Sequence, residues 1–369
     1  MQSRERTASW ELTPRQLCDL ELIASGAFSP LETFLGRKDY ESVCDRMRLQ
    51  SGALWPVPVT LDIPEETLAA ATRSGTLVLL DAERRELAVM AISEAWRPDR
   101  LAEAQAVLAT ADPTHPSVTY LQTATHPWYV TGRLDVLRDV RHPDVPPLVR
   151  TPAQVRREIE QRGWREVVAF NTRNPMHGAH RALVMRALEN GEAAVLLHPV
   201  IGPTRPGDVP AAARARSYQA VMRSLPPDRS MLALLPLAMR MAGPREALWH
   251  AVIRRTFGAT HFVVGRDQAS PGRDSRGEPF YPQYAAQDLV CAHEAELGIH
   301  PVCLPELVYV DGHGYLPRDE VPSGEVAMTV SGTQLRALLR AGEDVPAWLA
   351  LPDVVAELVG AFPGAMATH

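Results

Sequence analysis

Cysteine is scarce in this chain. The 369 residues hold four, Cys18, Cys44, Cys291 and Cys303, scattered and without a C-x-x-C pair. That pattern excludes a disulfide framework and suits a reducing compartment, so a cytoplasmic location is expected. Cys291, His293, His300 and Cys303 lie close in sequence, yet their spacing fits no strong zinc pattern, and no metal ligated by protein side chains is predicted. Lysine is almost missing: Lys38 is the only one, and arginine supplies the other basic residues. We read this as codon usage, since either residue serves on most solvated surfaces. Positive charge is not in excess either. The formal net charge is −6, which disfavours nucleic-acid binding through a general basic field. No apolar run approaches the roughly 18 residues of a membrane span, and the polar start MQSRERTASWELT carries no apolar leader core. No membrane or nucleic-acid partner is therefore expected. The 32 prolines are spread along the chain, where they mark turns rather than a low-complexity tract, and no internal repeat is present.

What is there reads as a multidomain α/β protein. Up to about residue 145, short strand-like runs (Val57 to Leu61, Thr76 to Asp81, Glu86 to Ile92, Trp128 to Thr131) alternate with helical patterns at Thr13 to Ser25, Lys38 to Met47 and Arg100 to Leu108. This predicts a mixed domain around a small β-barrel or curled sheet. The Pro-rich stretch His142 to Pro152 marks a boundary. Strands and helices then alternate: strands at Val167 to Phe170, Ala194 to Pro199, Met231 to Pro236, His261 to Gly265 and Ile299 to Cys303, helices between them. The pattern predicts a doubly wound, mostly parallel sheet, whose ligands sit beyond the C-terminal strand ends. A smaller unit follows from 305. The expected domains are 1–145, 146–304 and 305–369.

Four polar segments are candidate sites. The run Asn171-Thr172-Arg173-Asn174-Pro175-Met176-His177-Gly178-Ala179-His180 follows a strand and opens a helix, where N–H groups and the dipole favour anions. Arg173 adds a planar fork suited to phosphate or sulfate. His177 and His180, three apart, share a helical face. The loop from His198 to Asp208 offers Arg205, although prolines and glycines also make plain turns. In the loop from Gly265 to Arg273, the N–H groups from Gln268 to Ser270 could form an oxyanion nest; the plainer reading is a surface turn with an Arg266–Asp267 pair. Finally, Ser331 or Thr333 before a helical pattern is an ordinary N-cap signal, which by itself we prefer to a phosphate site.

Together these segments resemble one family. NTRNPMHGAH is similar to the QTRNP-x-H-x-x-H motif of ATP sulfurylases, and VSGTQLR to their I-S-G-T-x-x-R motif. HPVIGPTRPGD, LLPLAMRMAGPREALWHAVIRR, VVGRDQASPG and GAFSPLETFLGRKDYESV resemble other segments of that family, in order, from about Glu11 to Leu358. The resemblance implies a PUA-like β-rich N-terminal domain, a Rossmann-like nucleotidyltransferase domain and a small C-terminal domain. It further implies a single-function form without the kinase-like domain that some members carry. The implied substrates are ATP, with Mg²⁺, and sulfate; the implied products are adenosine 5′-phosphosulfate and pyrophosphate; the implied assembly is a homodimer.

By the same resemblance, Arg173 should hold sulfate and the α-phosphate, with Thr172 and Asn174 beside it. His177 and His180 should face the phosphate chain, Arg266 and Asp267 the nucleotide, and the Ala269 N–H the sulfate. Ser331, Gly332 and Thr333 should support the nucleotide side. Three positions depart from the family: Asn171 replaces its glutamine, Gln268 its usual histidine and Ser270 its usual glycine. Asn171 is one methylene shorter, roughly 1.5 Å of reach, so a water could bridge it to sulfate or a larger oxyanion could fit. The competing readings are another HxxH-type nucleotidyltransferase with a different acceptor, and a degenerate nucleotide-binding paralogue.

Overall fold

The computed structural model describes residues 8–189, 191–205 and 207–361. Pro206 of the second candidate loop and residues 1–7 of the polar start lie outside that range. The described residues form two compact units, each drawn from several stretches: those up to 141, with 236–257 and 267–298, make the first, and those between 142 and 235, with 258–266 and those from 299 onward, the second.

The N-terminal stretch runs β1 (Ala8–Glu11), α1 (Pro14–Ala24), α2 (Arg37–Arg46), β2 (Leu61–Ile63), α3 (Glu65–Ser74), β3 (Thr76–Leu80), β4 (Glu86–Trp96), α4 (Arg100–Leu108), α5 (Pro116–Thr123) and β5 (Trp128–Val136). The strands form one sheet in the order β1-β3-β4-β5-β2, parallel at β1–β3 and antiparallel elsewhere. A register shift between Ile92 and Glu94 bends the long β4–β5 pair, the usual effect of a bulge. The strand expected over Val57 to Leu61 begins only at Leu61. Pro56 and Pro58 remove ladder donors just before it, which keeps that apolar run out of the sheet. α1 opens on a capping box, with Thr13 accepting from the Gln16 N–H and Pro14 at the first position, the arrangement that best satisfies free helix N–H groups.

α6 (Pro152–Gln161) repeats that device with Thr151 and Gln154. It leads into β6 (Val167–Phe170), α7 (Gly178–Glu189), β7 (Ala194–Leu197), α8 (Ala211–Met222) and β8 (Ser230–Leu232). α9 (Gly243–Thr256) belongs to the first unit, β9 (His261–Val264) to the second, and α10 (Ala285–Ala292) with α11 (Glu294–Leu297) to the first again. α10 and α11 meet at His293, which caps the end of one and the start of the other. β10 (His300–Cys303), β11 (Leu307–Val310), β12 (Gly314–Pro317), β13 (Ala327–Thr329), α12 (Gly332–Ala341) and α13 (Pro352–Val359) complete the second unit.

Its main sheet has the order β10-β9-β6-β7-β8 and is parallel throughout. β6 and β7 are buried along their whole length, as continuous apolar runs in a parallel sheet require. The order turns around between β6 and β9. The chain leaving β6 and the chain leaving β9 therefore start at a topological switch point, where parallel α/β sheets hold ligands. The core joins Phe170 and Leu197 of the sheet to Leu335 of α12 and Val354 of α13. β12, β11 and β13 form a separate antiparallel sheet in that order.

Candidate functional site

Beyond β6 the backbone turns sharply and is tied at each step. The Thr172 hydroxyl accepts from the Asn174 N–H and donates to the Asn174 carbonyl, each at 3.1 Å. Tyr218 of α8 donates its hydroxyl to the same carbonyl at 3.0 Å. Arg214 of α8 donates to the Arg173 carbonyl at 2.8 Å. The Val200 N–H donates to the Thr172 carbonyl at 3.0 Å, which joins the loops after β6 and β7.

Side chains converge on this turn. Arg173 pairs with the buried Asp208 at 2.6 Å. The Arg205 N–H also donates to Asp208, at 3.3 Å. From α12, Arg336 donates to the Asn174 side-chain oxygen at 2.7 Å and to the Thr333 hydroxyl at 3.2 Å, and Arg340 donates to the Gly207 carbonyl at 3.0 Å. Burial holds the Arg336 guanidinium below its ordinary range; Asp208 favours its charge, while Arg205, Arg173 and Arg340 oppose it. Arg336 thus lies within electrostatic reach of three other arginines and of Asp208.

At the start of α7 the rings of His177 and His180 stack, with centroids 3.7 Å apart and planes 20° from parallel. Phe170 meets His180 edge-on at 5.5 Å. Burial, followed by the His180 charge, puts His177 well below the usual histidine range; burial pushes His180 down to about 4. Both are neutral at pH 7, and each buried Nδ1 has no hydrogen-bond partner among the described residues. Gly178 between them admits no side chain, because a Cβ would collide with the Tyr315 hydroxyl and the Trp348 carbonyl. Its N–H donates to the Leu349 carbonyl at 2.7 Å, and Tyr315 donates to the Trp348 carbonyl.

The structure brings Asn171, Thr172, Arg173, Asn174, His177, His180, Arg205, Gly332 and Thr333 into one unit, and within it the Asn174 side chain lies against Gly332. Ser331 is the N-cap of α12, accepting from the Gln334 N–H at 3.1 Å. Arg266 belongs to the same unit and bridges to Glu306 at 3.1 Å, which also holds Arg318 at 2.8 Å. Asp267, Gln268 and Ala269 fall in the first unit. There, Asp267 and Ala269 both have φ near +55° (54° and 57°), an uncommon conformation for residues other than glycine. The Ser270 N–H is used by the Asp267 carbonyl at 3.2 Å, and the Ala269 carbonyl accepts from the Gly243 N–H at 3.2 Å. The expected nest is therefore reduced by one donor. No group of three or more His, Cys, Asp or Glu able to hold a metal ion occurs among the described residues, and no helix among them is long and apolar enough to cross a membrane.

Sequence reading passed over Asp208, Arg214, Tyr218, Glu306 and Arg336. For Arg336 a signal existed, since it closes the S-G-T-x-x-R run and stands four residues from Arg340 on one helix face. Nothing local marked Glu306.

A PUA-like domain model matches residues 1–139. The sulfate adenylyltransferase of Yarrowia lipolytica is 46% identical over 367 residues, covering 98% of this chain and 64% of the relative. That of Emericella nidulans is 47% identical over 348 residues, covering 93% and 60%, and that of Kluyveromyces lactis 45% identical over 349 residues, covering 94% and 69%. The chain thus spans a little under two thirds of the first two relatives' length. Among solved structures, a hexameric APS kinase from Thiobacillus denitrificans is similar, with a TM-score of 0.75 and 29% identity over 96% of this chain and 63% of that one. The ATP-sulfurylase family model matches residues 146–361, the stretch that carries the β6 turn, the paired histidines and α12, and the chain belongs to that family.

Proposed function

We propose that the protein is a sulfate adenylyltransferase, converting ATP and sulfate to adenosine 5′-phosphosulfate and pyrophosphate. The observation that carries this reading is the gathering of positive charge at the β6 turn, where Arg336 lies within electrostatic reach of Arg173, Arg205 and Arg340, beside two neutral histidines at the start of α7. A positive excess of that kind suits a ligand with several negative charges.

A sulfate oxygen attacks the α-phosphorus in line, forming the new P–O bond as the bond to pyrophosphate breaks. The leaving group departs with the electron pair. Sulfate is already ionised near neutral pH, so no proton has to be removed. Catalysis rests on positioning and on stabilising charge in the transition state. Arg173 would exchange Asp208 for sulfate and α-phosphate oxygens, its fork matching either. Neutral His177 and His180 each carry one N–H to donate to the departing pyrophosphate. Thr172 and Asn174 set the turn that presents Arg173, and Arg205 reaches the ligand's far end. Arg266, Asp267 and Gln268 would contact the nucleotide side, and Ser331, Gly332 and Thr333 would support it. The Ala269 N–H would contact sulfate. Mg²⁺ enters with ATP, held mainly by phosphate oxygens and water. We further expect a cytoplasmic homodimer.

Sulfate-dependent pyrophosphate release from MgATP tests this directly, run beside selenate, sulfonates and phosphonates. Release with another acceptor but none with sulfate would transfer the protein to the second reading, an HxxH-type nucleotidyltransferase with a different oxyanion. Asn171 and Gln268 favour that reading. Asn171→Gln should change the affinity for sulfate relative to larger oxyanions; unchanged affinity for both would remove position 171 from the argument. Absence of sulfate-dependent exchange between pyrophosphate and ATP would leave only a nucleotide-binding protein.

A further inference from the structure

Every polar group of Asn174 but one is engaged. Its N–H donates to Thr172, its carbonyl accepts from Tyr218 and Thr172, and its side-chain oxygen accepts from Arg336. A guanidinium has only donors, so it can pair with the oxygen end of a side-chain amide and never with the nitrogen end. The bond therefore fixes which way the amide faces. Nδ2, with two hydrogens to give, is turned away from Arg336 and has no partner among the described residues. The second prong of the fork holds Thr333 in the first turn of α12. A Cβ on Gly332 would sit 3.5 Å from both Asn174 and Arg336, so the helix start lies directly against the amide.

We propose that Arg336 is a positioning residue for adenylyl transfer: its two-pronged contact with Asn174 and Thr333 orients the Asn174 amide as a donor to the bound anions and fastens the start of α12 to the β6 turn. This rests on the sulfate adenylyltransferase reading. A plain structural arginine would be expected to neutralise an acid or to cap backbone carbonyls. Arg336 instead spends both prongs on the side chains of Asn174 and Thr333, and it does so among three other arginines.

The test is a double-mutant cycle on the full chain. Arg336→Gln should lower kcat for sulfate-dependent pyrophosphate release by about tenfold or more, with a smaller change in the KM for ATP. Arg336→Lys, which keeps the charge but not the fork, should recover only part of that loss. In an Asn174→Ala background, Arg336→Gln should add less than about twofold, because residues acting through one contact are not additive. Full recovery by lysine, or effects that simply multiply, would overturn the proposal. ATP-induced stabilisation, read as the shift in Tm, provides an activity-independent arm. It should shrink in Arg336→Gln and in Asn174→Ala, and shrink no further when the two are combined. Wild-type protein that stabilises with ATP but releases no pyrophosphate with sulfate would sink the activity while leaving this coupling measurable; equal ATP-induced shifts in all four proteins would sink the coupling itself.

Discussion

Two buried clusters of charge behave differently in this molecule. In the first unit, Arg240 pairs with Asp19 at 2.5 Å, both almost wholly buried. Glu103 accepts from Tyr40 at 3.0 Å and Tyr129 at 2.9 Å, and Arg15 lies within electrostatic reach of Asp19 and Glu103. Both arginines are answered by carboxylates, Glu246 among them on Arg240. In the second unit, Arg336 lies within electrostatic reach of three other arginines, Arg173, Arg205 and Arg340, and of one acid, Asp208, which pairs with Arg173. A balanced cluster closes on itself and fixes the packing around it. An unbalanced one retains a field that only an added anion can neutralise. Burial alone does not separate the structural cluster from the functional one, whereas the sum of charges does.

The sharpest way to break this contrast is to unbalance the first cluster. Arg240→Met should cost about 3–5 kcal/mol in a denaturant titration, because the buried Asp19 loses its ion-pair partner. Replacing Asp19 by leucine as well should restore most of that loss, since well-packed apolar residues often match a buried ion pair. A single variant within 1 kcal/mol of wild type, on the order of an exposed pair, would show that the first cluster is not held by its pairing. Arg173→Ala should do the reverse in the second cluster. It should leave the fold in place, because Arg336 still lies within electrostatic reach of Asp208, and it should lower kcat by about 10²–10³, the scale for losing one preorganised charge-stabilising donor. Thermal melts with steady-state kinetics on the same preparation would separate the two outcomes.

Protonation gives a subtler contrast. In the second unit the folded state holds His177 and His180 below their ordinary range, by burial first and, for His177, by the charge on His180. The unfolded chain therefore binds more protons between its own histidine pKa near 6.5 and about 4. Stability from this source is complete above pH 6.5 and drains away as pH falls through that window. In the first unit burial raises Asp19 and Glu103, so the folded state binds more protons there and the sign is opposite. Thermal melts from pH 7 to pH 4.5 should show His177→Asn/His180→Asn losing less stability on acidification than wild type. Parallel curves would mean that the two rings are not the groups titrating.

Much of this was readable in the chain and some was not, for identifiable reasons. The β6 strand and its turn stood out because a fully apolar run met a polar, helix-opening segment, and the structure places both where the pattern puts them. The parallel sheet followed from alternation of strands with helices. What escaped notice was pairing at long range. Asp208 lies 35 residues from Arg173 and Arg336 162 residues from Asn174, and no local periodicity records either contact. Arg266 bridges to Glu306, 40 residues further along the chain, which nothing in its neighbourhood announces. β1 is only four residues long, too short for alternation to register, and the prolines at 56 and 58 overrode the apolar signal after them.

The smallest expected effect refines the comparison at helix caps. Thr13 opens α1 in the first unit, accepting from Gln16 at 3.3 Å, and Ser331 opens α12 in the second, accepting from Gln334 at 3.1 Å. Losing either hydroxyl to alanine should cost about 1 kcal/mol, so equilibrium stability cannot tell the two apart. Activity can. α1 carries Asp19 of the balanced cluster, and a frayed first turn there changes nothing in the arginine cluster. α12 carries Thr333 in its first turn and Arg336 just beyond it, so loosening that turn relaxes the two-pronged contact on Asn174. Ser331→Ala should lower kcat a few-fold at a temperature where both variants are fully folded, and Thr13→Ala should leave it unchanged. Equal kinetics for the two would mean that the start of α12 is held by its packing on the β6 turn, with the cap contributing stability and nothing to catalysis.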